Sequence, residues 1–264
     1  MRKYIMLVVL VCCLIVLPCA SIAEDVVLVD NASVLCRLTG YDVDWLGNFS
    51  MKLYLENKTN KTAMFAIQDA CVDGYVSDPF WAEELMPNSR KNVEIGWMGI
   101  EETPTLLEFV LRAYDSDDWY AEDFCNEAVM LYPQGVENVR LRTFEVEADD
   151  VVLFNTSDAM MVVTGFDEDG FMGYTMYAHL ENKSDKTLMF SAEGAAVNGF
   201  SLDPFWAREV PAGRCADVEI TWFSSDFDEN GITEVEQIVL SIRVYDSDDW
   251  FADNLIDDSY SIVP

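Results

Sequence analysis

The residues of this chain best suited to chemistry are its clustered aspartates. The hexapeptide Tyr-Asp-Ser-Asp-Asp-Trp fills positions 114–119 and returns at 245–250, and Asp-Phe-Asp-Glu-Asn-Gly fills 226–231. Grouped carboxylates can hold a hard cation, share a proton in acid–base work, or accept backbone N–H groups in a turn. For the hexapeptide the turn is the expectation. Ca²⁺ takes about six to eight oxygens, more than Asp115, Asp117 and Asp118 supply, whereas aspartates readily bond N–H groups a residue or two further on. The other stretch has the D-x-D-x-N-G opening of a calcium loop, with Gly231 for the tight bend. Asp226, Asp228 and Asn230 are therefore candidate Ca²⁺ ligands, the one cofactor the sequence suggests. Against them, the twelfth position holds Gln237 in place of a bidentate Glu, and an acidic hairpin loop explains the segment equally well.

Other reactive side chains are few. The chain has one histidine, His179. It falls on the non-core phase of an alternating segment, which predicts a surface residue, and a nucleophile–His–acid arrangement would rest on it alone. No enzyme activity is expected. Of seven cysteines, Cys12, Cys13 and Cys19 lie near the N-terminus, leaving Cys36, Cys71, Cys125 and Cys215 without metal-ligand spacing. Free thiols, or one incidental bridge, are expected.

Acids outnumber bases 48 to 16, a balance that repels nucleic acid and anionic lipid. Arg2 and Lys3 precede an apolar run to Leu17, and Ser21 and Ala23 place small side chains before a cleavage point. Residues 1–23 read as a signal peptide cut after Ala23. The run is short for a membrane span and no second one follows. A secreted, extracellular chain is expected.

The rest is a duplication. Residues 26–97 align without a gap with 151–222, about 40% identical. The second copy then carries an insertion around Ser224–Ile232, after which "LRAYDSDDWYAED" meets "IRVYDSDDWFADN". The hexapeptide thus recurs because the whole unit recurs. Within each copy apolar residues alternate: Met51, Leu53 and Leu55; Val93, Ile95 and Trp97; Leu107, Phe109, Leu111 and Ala113, each run mirrored in the second copy. Period two is the mark of half-buried strands. About seven or eight strands per copy in roughly 110 residues predict an all-β chain of two tandem immunoglobulin-like antiparallel sandwiches. The boundaries are 24–133 and 151–264, joined by a linker over 134–150. Within it, 138–147 is expected to be extended and to pair with one domain. "DPFWA" predicts a single helical turn begun by Asp78 and Pro79, repeated at Asp203 and Pro204. Trp97 and Trp222 share the buried phase, Trp119 and Trp250 are expected to cover a sandwich end, and Trp45 alone lacks a tryptophan counterpart.

Taken in order, "ENKTNKT", "DPFWA", "PAGR" and "YDSDDW" resemble a tandem Ig-like repeat of unknown function found in secreted proteins of gut clostridia. The resemblance covers essentially the whole chain after residue 23. It implies an Ig-like fold and a Gram-positive, extracellular protein, and it supplies no functional residues. The function expected is extracellular binding or cell-surface interaction, with an unknown protein or glycan as partner. A Ca²⁺-stabilised spacer is the alternative, and a carboxylate-dependent hydrolase a distant one.

Overall fold

A computed structural model describes residues 25–118, 120–249 and 251–264. The predicted signal peptide and both hexapeptide tryptophans, Trp119 and Trp250, lie outside them. The first copy holds β1 (Val26–Asp30), β2 (Val34–Val43), β3 (Phe49–Asn57), β4 (Ala63–Val72), β5 (Tyr75–Val76), β6 (Ala82–Leu85), β7 (Arg90–Gly96), β8 (Leu107–Asp115) and β9 (Cys125–Leu131). The second repeats the series as β10 (Val151–Asn155), β11 (Ala159–Asp167), β12 (Gly173–Asn182), β13 (Leu188–Val197), β14 (Phe200–Ser201), β15 (Ala207–Val210), β16 (Cys215–Phe223), β17 (Ile238–Asp246) and β18 (Ile256–Ile262). Each copy is an antiparallel sandwich. One sheet runs β1-β2-β3-β7 in the first copy and β10-β11-β12-β16 in the second. The facing sheet is β4-β8-β9 with β5 and β6 along β4, matched by β13-β17-β18 with β14 and β15.

The alternating residues fill two separate cores. Phe49, Met51, Leu53, Leu55, Phe65, Ile95, Trp97 and Leu107 pack in the first, and Met176, Leu180, Phe190, Ile220, Trp222 and Ile238 in the second. Each central tryptophan is 1% exposed and still satisfies its indole N–H, Trp97 on the Ser77 carbonyl and Trp222 on the Leu202 carbonyl, both at 3.0 Å. The strand-to-strand turns follow from local chemistry. Asp73-Gly74 and Asn198-Gly199 all have positive φ, between 49° and 91°, the two-residue primed turn whose twist matches a hairpin.

Three local expectations are corrected. Residues 77–81 form no helical turn; Asp78 Oδ1 instead accepts the Phe80 N–H at 2.7 Å, and Asp203 accepts Phe205 at 2.9 Å. Both phenylalanines are thereby bent to a φ of 48°, a region non-glycine residues seldom occupy. The insertion is neither a calcium loop nor a hairpin but a short helix, α1 (Ser224–Asn230), closed by Gly231 in the left-handed conformation. The segment 139–147 forms no strand and pairs with neither sheet as a ladder; single contacts to both copies pin it.

The copies do not remain separate sheets. The Cys215 N–H bonds the Gly74 carbonyl at 3.0 Å, and β5 lies parallel to β16. The pairing carries one sheet from the second copy into the first, nine strands in all.

Candidate functional site

The joint between the copies gathers the polar side chains that the sequence left without a role. On β12, His179 points away from its own core, as the strand phase predicts, yet it is 1% exposed. Surface placement is corrected: the linker and the first copy cover that face. Phe144 of the linker stacks on the imidazole at 3.8 Å and 10°, and Tyr75 lies 5.7 Å away. Nδ1 meets Asp217 Oδ1 at 2.9 Å, and the Arg142 guanidinium joins Asp217 at 3.2 Å while lying 3.9 Å over the Tyr75 ring. The His179 hydrogen bond, more than the nearby Arg142, holds the Asp217 carboxyl below the usual range. Nε2 is buried without a partner among the described residues, so the imidazole itself offers no open edge to a ligand, while Asp217 stays half exposed.

The linker is tied to the first copy as well. The Arg142 N–H bonds the Asp73 carbonyl at 2.9 Å, and the Arg140 N–H bonds Thr105 Oγ1 at 3.0 Å. Leu141 packs on Gly74, where its Cδ2 would lie 3.5 Å from an added Cβ. Arg214, in the loop before β16, reaches back to Glu108 on β8 with a two-pronged ion pair at 2.7 and 2.5 Å. Both partners are largely buried, and the planar fork fixes direction as well as distance.

This overhang creates a groove. The outward face of β4, β8 and β9 forms its floor with Cys71, Val110, Ala128 and Met130, and Thr187, Pro211, Ala212 and Arg214 of the second copy form its wall. Its volume is about 440 Å³. Past Asp69 and Pro211 it continues into a hollow of about 230 Å³ edged by Asp78, Arg208 and Glu209. Clefts between domains with a largely apolar lining are where ligands are most often held. Burial pushes the Cys71 thiol up to about 12, so it serves as apolar lining, not as a nucleophile. Cys36, Cys125 and Cys215 are also free, each raised chiefly by burial.

The groove has no counterpart in the second copy. At the positions matching Val110, Ala128 and Met130 stand Ser241, Ser259 and Ser261. There Ser241 and Ser259 bond each other at 2.7 Å, and Gln237 bonds Ser261 at 2.7 Å. Apolar residues on the outward phase of one copy alone were a signal in the sequence that alternation by itself does not weigh.

The other predicted residues lie elsewhere. In each hexapeptide the first and third aspartates make the turns: Asp115 accepts Asp117 N–H at 3.1 Å and Asp118 accepts Tyr120 N–H at 3.2 Å, with Asp246 and Asp249 repeating both bonds. Lys61 pairs with Asp115 at 2.5 Å and Lys186 with Asp246 at 2.7 Å. Asp226, Asp228 and Asn230 sit on α1, where Asn230 Nδ2 bonds the Asp226 carbonyl at 2.7 Å. Helical residues two apart diverge around the axis, so α1 does not converge Asp226 and Asp228 as a calcium loop would. Among the described residues no group of three or more His, Cys, Asp or Glu is placed to hold a metal ion. Trp45 is 90% exposed, at a loop tip with Leu46, and the matching tip presents Phe171 and Met172.

No family model matches the sequence, and no curated protein matches it. Among solved structures the chain is similar to the Salmonella enterica SafA pilin in complex with the SafB chaperone, at 13% identity over 89% of this chain and 98% of that one, with a TM-score of 0.28. It is similar too to the YadV chaperone, at 11% identity over 87% of this chain and all of that one (100%), with a TM-score of 0.25.

Proposed function

We propose that this is an exported, non-enzymatic binding protein of two Ig-like domains, with residues 1–23 removed after Ala23, that takes its ligand in the groove at the joint. One observation carries the reading. The apolar floor of Val110, Ala128 and Met130 exists only in the copy that the other copy overhangs, and Ser241, Ser259 and Ser261 stand at the matching positions of the other. A spacer has no use for such a difference. The Ca²⁺-stiffened alternative depends on Asp226, Asp228 and Asn230, and α1 turns Asp228 away from the face that Asp226 and Asn230 share. A carboxylate-dependent hydrolase would need two free carboxylates over the floor that holds its ligand, and of Asp69 and Glu108 there, Glu108 is taken up by Arg214.

The test is a capture experiment with residues 24–264 on arrays of extracellular proteins and glycans. A triple variant, Val110→Ser, Ala128→Ser and Met130→Ser, gives the first copy the face on which the second already folds. Captured ligands should be lost in the variant while its melting curve stays cooperative. Retention of every ligand would remove the groove from the function.

A second reading has its own support. Phe80 and Phe205 are 90% and 89% exposed, and Tyr120 and Phe251 are each 99% exposed. Core packing cannot explain why both copies keep aromatics at these surface positions. Loop-tip contact with a partner would explain it, and alanine at all four should then abolish capture with the groove intact.

A further inference from the structure

We infer that the second copy carries a small-molecule site of its own beneath α1, suited to a short amino alcohol with its hydroxyl inward, its ammonium group outward and a few methylenes between. The site is a hollow of about 200 Å³. It shares no lining residue with the groove at the joint, so it stands whether or not that groove binds.

An unpaired hydroxyl marks the inner end. Tyr174 lines the hollow and is 4% exposed, and its phenol oxygen is buried with no hydrogen-bond partner among the described residues. A hydroxyl buried in that state is destabilising. The first copy shows that the core does not require it. Phe49 stands at the matching position and packs on Trp97 at 5.7 Å, as Tyr174 packs on Trp222 at 6.4 Å. The neighbouring ring changes with it: Tyr41 beside Phe49 becomes Phe166 beside Tyr174, which moves the hydroxyl from the outer ring to the buried one. Loss of solvent, and then Glu168, push the phenol up to about 12. The group therefore stays neutral, able to donate to a ligand hydroxyl and to accept from it.

Carboxylates mark the outer end. Glu168, Asp228 and Glu234 line the hollow and are exposed, and no lysine, arginine or histidine lines it beside them. Such a mouth draws cations. Among the described residues no three acidic groups are placed to hold a metal ion, which favours an organic cation, whose ammonium group needs no coordination shell. Between the ends lie Phe227, its ring 5.9 Å from that of Tyr174, and the buried Ile232, a wall for methylenes. The first copy has Val43 in place of Glu168 and no insertion to supply Asp228, so the hydroxyl, the acidic mouth and the roof are peculiar to the second. That roof is lightly held: α1 has no buried residue and no side-chain cap at its start, and it yields readily to an entering ligand.

Aminobutanol with its two groups at opposite ends, butylamine and butanol are titrated by NMR into residues 24–264 at neutral pH. Aminobutanol should bind saturably, and more weakly as salt rises. Butylamine should bind at least about fivefold more weakly, the worth of one neutral hydrogen bond, and butanol not measurably. Tyr174→Phe installs the residue of the first copy and should melt no lower than the parent. It should bring aminobutanol down to the affinity of butylamine and leave butylamine unchanged. Glu168→Gln combined with Glu234→Gln should weaken both amines. Equal binding of the two amines to the parent removes the hydroxyl contact and overturns the inference. Aminobutanol binding that survives Tyr174→Phe at full strength places the ligand elsewhere on the acidic surface and overturns it as well. A lower melt for Tyr174→Phe shows that the hydroxyl already has a partner, a trapped water, and removes the ground for a ligand there. A melting temperature raised by Ca²⁺ but not by aminobutanol, with the rise absent in the double glutamine variant, replaces the amine with a metal ion. Failure of all three compounds to bind sinks the site and leaves the groove untouched.

Discussion

Tyr54 and His179 stand at the same position of the same strand in the two copies. Tyr54, on β3, keeps a partly exposed ring under the Arg37 guanidinium at 4.6 Å and bonds Glu56 at 3.2 Å. His179, on β12, is sealed beneath Phe144 and bonded to Asp217. Neighbouring positions diverge in the same sense: Ser89 against Arg214, Asn92 against Asp217, Val239 against Glu108. The copies share what builds a sandwich and differ in what builds the joint. At the outer ends of the pair, β7 of the first copy and β14 of the second are the counterparts of the strands that meet at the joint. Among the described residues the polar set of His179, Asp217, Arg214 and Glu108 is assembled at the joint alone, Tyr54, Asn92, Ser89 and Val239 standing at the matching positions.

The shared half of that comparison predicts the largest effects. Trp97→Ala and Trp222→Ala should each cost about 3–5 kcal/mol, the usual result of emptying a large core site, and each should lower the melting of its own copy. A loss confined to one tryptophan, or spread equally over both copies, would break the equivalence of the cores.

The unshared half predicts smaller and unequal losses. His179→Ala removes a buried ring and leaves Asp217 short of a partner, so it should cost about 1–3 kcal/mol, against about 1 kcal/mol or less for Tyr54→Ala. Arg214→Ala should fall in the same 1–3 kcal/mol range, below the usual cost of breaking a fully buried pair because both groups retain some solvent. Both joint variants should speed proteolysis within 138–147, and Tyr54→Ala should not. Equal costs for His179 and Tyr54 would mean that the joint adds nothing.

The same contrast explains what the sequence disclosed. Strand alternation reports which side of its own sheet a residue faces, and for Met51, Ile95, Leu107 and their mirrors that is enough to locate both cores. It cannot report what lies over the other side. His179 is correctly phased by alternation and yet reads as exposed, because the Phe144 and Tyr75 that cover it come from the linker and the other copy. The groove was legible only as a discrepancy, three apolar residues where the duplicate has serines. Helix α1 is too short to show a 3.6-residue period, and a calcium-loop pattern masked it. The Asp-Pro-Phe turn begins as a helix would, with an aspartate and a proline, and departs from one only because Asp78 captures the Phe80 N–H.

Acid should act on the two sides of the joint in opposite directions. Asp217 has a lowered carboxyl, so its contribution is present above the ordinary aspartate range and is lost as pH falls through the folded value. Asp69 has a raised one, so its penalty is full at neutral pH and is relieved as pH falls through that raised value. Asp217→Asn should therefore loosen the joint at pH 7, and Asp69→Asn should tighten it, as read by proteolysis within 138–147. Movement of both variants in the same direction would show that general charge reduction, not these local contacts, governs the joint.

The smallest effect belongs to the middle of the repeated hexapeptide. Asp115 and Asp246 each hold a lysine and a backbone N–H, and Asp118 and Asp249 each hold a second N–H. Among the described residues Asp117 and Asp248 accept no backbone bond of this kind, although their N–H groups are donors in the turn. Asp117→Asn and Asp248→Asn should thus change stability by less than about 0.5 kcal/mol, as substitutions on an open surface do, while Asp115→Asn and Asp246→Asn should lower the melting temperature clearly. Equal melting of the Asp115 and Asp117 variants would mean that the lysine pair and the backbone bond held by the first aspartate add nothing to the turn.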